Sequence, residues 1–253
     1  MPQFLVDSKN IVQDKLHLSV SESHHLLRVL RKSVGDEITI SDGECKQYYC
    51  VLQEADLEFP KAILKILKVH QAMSPKPRIH LVCAVLKNQR MDWLIEKATE
   101  LGVDEITPLL SQHGVVELKS EKDKTKKQER FIALSQAALK QSQNLHLPQI
   151  NEVLSFQEYL KKIEADNPKI LQALLHPYNS LALSELETDF SKDQAEECLL
   201  LIGPEGGFSE VEVKMAHSKG FKSYSLGKNI LRGETAGIYA LSLLSFWRTK
   251  RSS

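Results

Sequence analysis

Apolar and polar positions change rhythm once along this chain. Over the first seventy residues the runs Glu37 to Ser41, Gln47 to Leu52 and Ala62 to Val69 read as β-strands, and Ser41-Asp42-Gly43 supplies a turn between the first two. One helix interrupts them, with Leu26, Leu27, Val29 and Leu30 on one face and Ser21 or Ser23 placed to cap it. His24, His25, Arg28, Arg31 and Lys32 fall on its polar side. Residues 71–78 carry two prolines and no periodicity, which marks a linker.

Beyond the linker, apolar runs alternate with stretches of helical period. Ile79 to Leu86 is continuously apolar, as in a parallel strand covered on both faces, and a helix is predicted over Arg90 to Leu101. Further strands are predicted near Glu105 to Leu109, Ile170 to Leu175, Cys198 to Ile202 and Lys222 to Leu226. Helices are predicted near Lys127 to Ser142, Phe156 to Glu164, Glu210 to Lys219 and Glu234 to Trp247. The last helix is apolar almost all round and reads as buried. Such alternation predicts an α/β domain over 79–253 with a mostly parallel sheet, whose ligands bind at the carboxyl ends of its strands.

Composition narrows the function classes. The 253 residues are 42% hydrophobic and 26% charged, the balance of a folded globular protein. The N-terminus is too polar for a signal peptide and no apolar run is long enough to span a bilayer, so the expectation is a cytoplasmic protein with no membrane partner. Cys45, Cys50, Cys83 and Cys198 have neither zinc-site spacing nor disulfide-scaffold density, and no metal is expected. Equal numbers of basic and acidic residues give no overall pull toward nucleic acid. Locally, Arg78, Lys87, Arg90 and Lys97 face only Asp92 and Glu96.

Two segments carry candidate chemistry. The apolar run Leu199 to Ile202 leads into Gly203-Pro204-Glu205-Gly206-Gly207-Phe208, and Ser209 with Glu212 forms a capping box for the next helix. Glycines let backbone N–H groups approach a ligand, but the spacing matches neither a dinucleotide fingerprint nor a P-loop, so a pyrophosphate ligand is disfavoured. The second segment, Leu226 to Ala236, also joins a strand to a helix. It sets Arg232, Glu234 and Thr235 at the start of that apolar helix, where polar groups need partners.

Together LIGPEGGFSEVEV and LGKNILRGETA resemble the signature segments of the small-subunit (16S) ribosomal RNA uridine-N3 methyltransferase family, a branch of the knotted SPOUT methyltransferases. The resemblance extends to His25, Val29-Leu30-Arg31 and Gly35-Asp36, then to Lys97-Ala-Thr-Glu-Leu-Gly-Val103 and Ile106-Thr-Pro108, and so covers essentially the whole chain in order. Two positions depart from it. Gly233 stands where the family usually has threonine, and Gln143-Asn144 stand where an arginine commonly follows the Gln-Ser pair.

The resemblance implies a PUA-like, RNA-binding β-barrel over 1–70 and a SPOUT domain with a C-terminal trefoil knot over 79–253. It also implies a homodimer and S-adenosyl-L-methionine as cofactor, held within 201–208 and 226–236. The cofactor-binding residues it implies are Leu175, His176, Leu201, Ile202, Gly203, Pro204, Glu205, Gly206, Gly207, Leu226, Gly227, Ile230, Leu231, Arg232, Glu234, Thr235 and Ala236. The implied reaction is methylation of N3 of a uridine in the decoding region of 16S ribosomal RNA within the small subunit. Its two alternatives are a non-catalytic ribosome-assembly factor and a transfer-RNA methyltransferase.

Methyl transfer from a sulfonium needs positioning rather than a metal. Uracil N3 must lose its proton, so Arg232 is the candidate to stabilise the developing anion and Glu205 a candidate base. Arg232 bracing Glu205 or Glu234 is the structural alternative. Candidate RNA contacts are His25, Arg28, Arg31, Lys87, Arg90 and Lys97.

Overall fold

Side chains that alternate along the first strands bury one face and leave the other wet. The computed structural model describes residues 4–252 apart from 88, 119, 166 and 193. These residues divide into two compact units, one running to Ser74 and taking in Leu139–Leu147, the other Pro75–Ala138 with Pro148 onward.

The first unit is built on a six-stranded sheet. Its strands are β1 (Phe4–Leu5), β2 (Ile11–Val12), β3 (Lys15–His17), β4 (Glu37–Ser41), β5 (Lys46–Asp56) and β6 (Lys61–Gln71), ordered β1-β4-β5-β6-β3-β2. Only β1 and β4 run parallel. Leu16, Ile40, Leu52 and Leu64 form its fully buried centre.

A short helix α1 (Val20–His24) starts earlier than the serine pattern suggests. Ser19, in extended conformation, caps it by accepting from the Glu22 N–H at 3.2 Å. Ser21 and Ser23 are not the cap: Ser23 is buried and its Oγ accepts from the Ala62 N–H at 3.0 Å. A π-helical turn, His25–Val29, then rotates the face, so Leu26 and Leu27 are buried while Val29 is exposed.

The second unit holds a parallel sheet of β7 (Arg78–Ala84), β8 (Glu105–Leu110), β9 (Gln149–Ile150), β10 (Leu154–Ser155), β11 (Ile170–Leu175), β12 (Glu197–Ile202) and β13 (Lys222–Tyr224). The order is β10-β8-β7-β12-β11-β13, with β9 paired to β8. Its helices are α2 (Gln89–Glu100), α3 (Glu121–Ser142), α4 (Phe156–Lys162), α5 (Leu183–Phe190), α6 (Glu210–His217) and α7 (Gly233–Ser252). Both faces of the central strands are buried. Cys198, Leu200 and Ile202 join the core made with α2, α5 and α7, whereas Leu199 and Leu201 join the one made with α4 and Phe221.

After β12 the chain passes beyond β11 to β13 and returns to lay α7 against α2. Small residues make that return possible. A Cβ on Gly237 would lie 2.7 Å from Leu94 Cδ1 and 3.3 Å from Ile202 Cδ1. Farther along α7, buried Arg248 donates to Asp104 Oδ2 at 2.8 Å and to the Gly102 carbonyl at 2.6 Å. α7 is not buried all round: Tyr239 and Phe246 are exposed.

Candidate cofactor site

The central position of β12, hydrogen-bonded to β7 and β11, delivers its C-terminal end to the middle of the sheet. There the glycine loop turns: the Gly207 N–H donates to the Pro204 carbonyl at 2.9 Å, and Gly207 has φ +70°, a conformation costly for any residue with a Cβ. Ser209 and Glu212 then cap α6 reciprocally, with the Ser209 N–H donating to Glu212 Oε2 at 2.8 Å. The other oxygen of Glu212 accepts from the Gln112 N–H at 2.8 Å, so one buried carboxylate ties the start of α6 to the segment after β8. That segment also backs the loop: a Cβ on Gly206 would lie 3.2 Å from His113 Cβ.

Two further strand ends complete the site. At the end of β11 the His176 N–H donates to the Tyr224 carbonyl at 3.0 Å, joining it to the end of β13. After β13, Ser225 Oγ donates to the Gly227 carbonyl at 3.0 Å and the chain turns through Gly227, φ +129°. Between these segments lies a cavity of about 770 Å³, open at one side, in the size range of small-molecule sites.

Of the residues singled out by sequence, Leu175, His176, Ile202, Gly203, Pro204, Glu205, Gly206, Gly207, Leu226, Gly227, Ile230, Leu231 and Ala236 line this cavity. Leu201 does not; it is fully buried, with Leu174 and Val82 opposite it on the neighbouring strands. Arg232, Glu234 and Thr235 also lie off the cavity wall. Sequence reading missed Tyr178, Asn179 and Ser225, whose place on the wall depends on β11 and β13 being neighbours.

The residues present suit an adenosyl ligand. Apolar Ile202, Leu226 and Ile230 offer walls for a flat ring, Ile230 while 73% exposed, and the glycines leave room where side chains would intrude.

The charges arrange themselves differently from expectation. Arg90, read as an RNA contact, donates from Nη1 to Glu205 Oε1 at 2.7 Å, and its Nε lies 3.8 Å from Glu234 Oε1. It therefore links the glycine loop to the start of α7. Bracing falls to Arg90 rather than Arg232, which is exposed, and Glu205 is engaged as an ion-pair partner rather than poised alone as a base. Glu234 is buried, and its Oε2 has no hydrogen-bond partner among the described residues.

The other RNA candidates are scattered by role. Lys97 is taken up by Glu96 and Glu100, each at 2.8 Å. Arg28 donates to the Leu57 carbonyl at 2.6 Å, and the His25 ring packs on Phe4 at 5.6 Å. Arg31 and Lys87 are exposed.

At Gly233, where threonine was expected, a Cβ would meet Leu86 Cδ2 at 3.0 Å and the Gly203 carbonyl at 3.2 Å. Glycine there fits the close approach of α7 to the loop.

Comparison with known proteins agrees with this geometry. Residues 18–65 match the RNA methyltransferase PUA domain family. The ribosomal RNA small subunit methyltransferase E of Bacillus subtilis (strain 168) is 28% identical over 246 residues, 96% of this chain and 95% of that protein. The protein of the same name from Mesomycoplasma hyopneumoniae is 33% identical over 178 residues, 70% and 73% of the two chains. Among solved structures, the Neisseria gonorrhoeae ribosomal RNA small subunit methyltransferase E bound to S-adenosyl methionine superposes with TM-score 0.83 at 26% identity, covering 97% of both chains. A Legionella pneumophila protein in complex with the same cofactor superposes with TM-score 0.82 at 27% identity over 96% of both. With residues 73–245 matching the RNA methyltransferase domain family, most of its length, this chain belongs to that family.

Proposed function

We propose that the protein transfers a methyl group from S-adenosyl-L-methionine to N3 of a uridine in the decoding region of 16S ribosomal RNA, acting on the assembled small subunit. The observation that carries this reading is the cavity at the carboxyl ends of β11, β12 and β13, formed where the glycine-bearing segments after β12 and β13 meet. The names of the relatives point to the same substrate class.

The cofactor supplies an electrophilic methyl group, and the chain's task is to hold it in line with the nucleophile. Backbone groups of Gly203, Gly206, Gly207, Leu226 and Ile230 hold the adenosine, with Leu175 and His176 at the far wall. Arg232 stabilises the uracil anion as the N3 proton leaves; its exposure leaves the guanidinium free to reach a substrate base. Glu205 holds the loop through Arg90 and does not take that proton. Of the candidate RNA contacts, exposed Arg31 and Lys87 are offered to RNA phosphates.

The same reading includes a homodimer in the cytoplasm. The exposed aromatic side chains of Tyr239 and Phe246 on α7 support a face covered by a second copy.

The test is methyl incorporation from labelled cofactor into purified small subunits, free 16S RNA, large subunits and transfer RNA. Incorporation confined to small subunits, mapped to uridine N3 by mass spectrometry, is the expected result. Methylation of transfer RNA alone, or cofactor binding with no transfer to any of the four, would overturn it.

A further inference from the structure

At the opposite end of the sheet from the cofactor cavity, three side chains from neighbouring strands converge: His80 of β7, Glu105 of β8 and Glu197 of β12. One ligand atom from each lies within 4.8 Å of the others. His80 is 7% exposed.

The spacing is too wide for direct hydrogen bonding. His80 Nδ1 is 4.0 Å from Glu197 Oε1, while Glu105 Oε1 lies 3.8 Å from the other ring nitrogen, so the Glu105 side chain would turn toward Nδ1 to share an ion there. Hydrogen bonds between such groups span about 2.7–3.2 Å. Two ligand atoms on one zinc-like ion, each about 2.1 Å from it, stand roughly 3.4 Å apart at a tetrahedral angle and up to about 4.2 Å when opposed.

The surroundings are arranged as supports for ligands. His80 Nε2 lies 2.8 Å from Thr107 Oγ1, which fixes the ring and leaves Nδ1 facing Glu197. Asn151 Nδ2 donates both to Glu105 Oε1 at 2.6 Å and to Thr107 Oγ1 at 2.7 Å.

A second observation points to a missing group. The hydroxyl of Tyr159 is buried with no hydrogen-bond partner among the described residues. Its ring packs edge-on against His80 at 6.1 Å, which sets Tyr159 beside the same cluster. Beside the two carboxyl groups, the Arg78 guanidinium comes no nearer to Glu105 than 3.7 Å.

We propose that His80, Glu105 and Glu197 bind one divalent transition-metal ion, of which Zn²⁺ best suits one nitrogen and two oxygen ligands, and that it pins β7, β8 and β12 together. The ion balances the cluster's charge, and the Tyr159 hydroxyl serves solvent at the remaining coordination position. The site is structural and stands apart from methyl transfer.

The experiment uses the full-length protein, stripped with chelator and titrated with ZnCl₂, MnCl₂ or MgCl₂ by calorimetry and thermal unfolding. One Zn²⁺ per chain is expected, with Mg²⁺ much weaker. At a hundredfold excess over Kd the midpoint of unfolding should rise by roughly 5–10 °C. Glu197→Gln and His80→Gln should each weaken Zn²⁺ binding by no less than the roughly 10–100-fold that loss of a ligand's outer-shell partner costs, while cofactor affinity is unchanged. Should His80→Gln fail to fold, Glu197→Gln decides, since its side chain is 28% exposed and the change is nearly isosteric. No saturable binding by the folded wild type, or equal binding by Glu197→Gln, would overturn the proposal.

Discussion

The guanidinium of Arg90 and the carboxylate of Glu205 lie 2.7 Å apart although 115 positions separate them in the chain. One side chain from α2 thereby holds the glycine loop, and through Glu234 it also reaches the start of α7. Exposed pairs of this kind contribute about 0.2–1 kcal/mol, so the consequence is positional more than stabilising. Arg90→Ala should weaken binding of S-adenosylmethionine about 3–10-fold by calorimetry, near the upper end because Glu234 loses its partner. Glu205→Gln should produce part of that loss, and the double variant no more than Arg90→Ala alone. Additive losses would show that the two act separately.

Arg232 differs because neither Glu205 nor Glu234 pairs with it among the described residues. Arg232→Ala should lower kcat about 10²–10³-fold while cofactor affinity changes little, as for a group used only in the transition state. Steady-state kinetics beside a cofactor titration decide it. Equal losses in both would assign Arg232 to bracing.

Gly206 has His113 Cβ 3.2 Å from where its own Cβ would be. Gly206→Val should therefore displace the loop and abolish cofactor binding, while the melting temperature falls little because the position is exposed. Unaltered affinity in a folded variant would remove this loop from the site.

Restoring the family's threonine at position 233 should be unfavourable in this chain. Leu86 Cδ2 and the Gly203 carbonyl occupy the space, so Gly233→Thr should cost about 1–3 kcal/mol in chemical unfolding. Adding Leu86→Val should recover part of the loss; no recovery would mean that the Gly203 contact dominates.

Asp189 gives the pH dependence. Burial works to raise its pKa, but hydrogen bonds from Lys192, Tyr224 and Lys222 prevail and hold it at about 2, below its usual 3.8. Its stabilising contribution is therefore complete above pH 4 and fades as pH falls toward 2. Asp189→Asn should be less stable than wild type at pH 7, with the gap closing between pH 4 and pH 2. A gap constant over that range, measured by urea unfolding, would contradict the assignment.

How far the sequence foretells this molecule depends on the range of the interactions involved. Strand Ile170–Leu175 and the capping box at Ser209 and Glu212 follow from local pattern and match residue for residue. Helix α5 escapes the sequence pattern because Leu186 and Phe190, its buried spine, and half-buried Leu183 sit among acidic residues that read as solvated. Strands β1 to β3, of two or three residues, are too short for period two to register. α7 misled in the other direction, since apolar residues on both faces do not reveal which face is covered. Arg90 looked like a surface charge because its partner comes from the far end of the chain. The grouping of His80 with Glu105 and Glu197 needed the register that sets His80 opposite Glu105.

The unit that begins the chain is not finished by its first 74 residues. Leu139–Leu147 returns to it: Lys140 pairs with Glu22, the Cys45 N–H donates to the Leu145 carbonyl at 2.9 Å, and the Leu147 N–H donates to the Gly43 carbonyl at 2.8 Å. A fragment cut after Ser74 would thus leave the β4–β5 turn without its backbone partners and bare the thiol of Cys45, which is 8% exposed in the whole protein. Excision at the linker would yield an incomplete module, and limited proteolysis near residue 75 should release no independently stable piece.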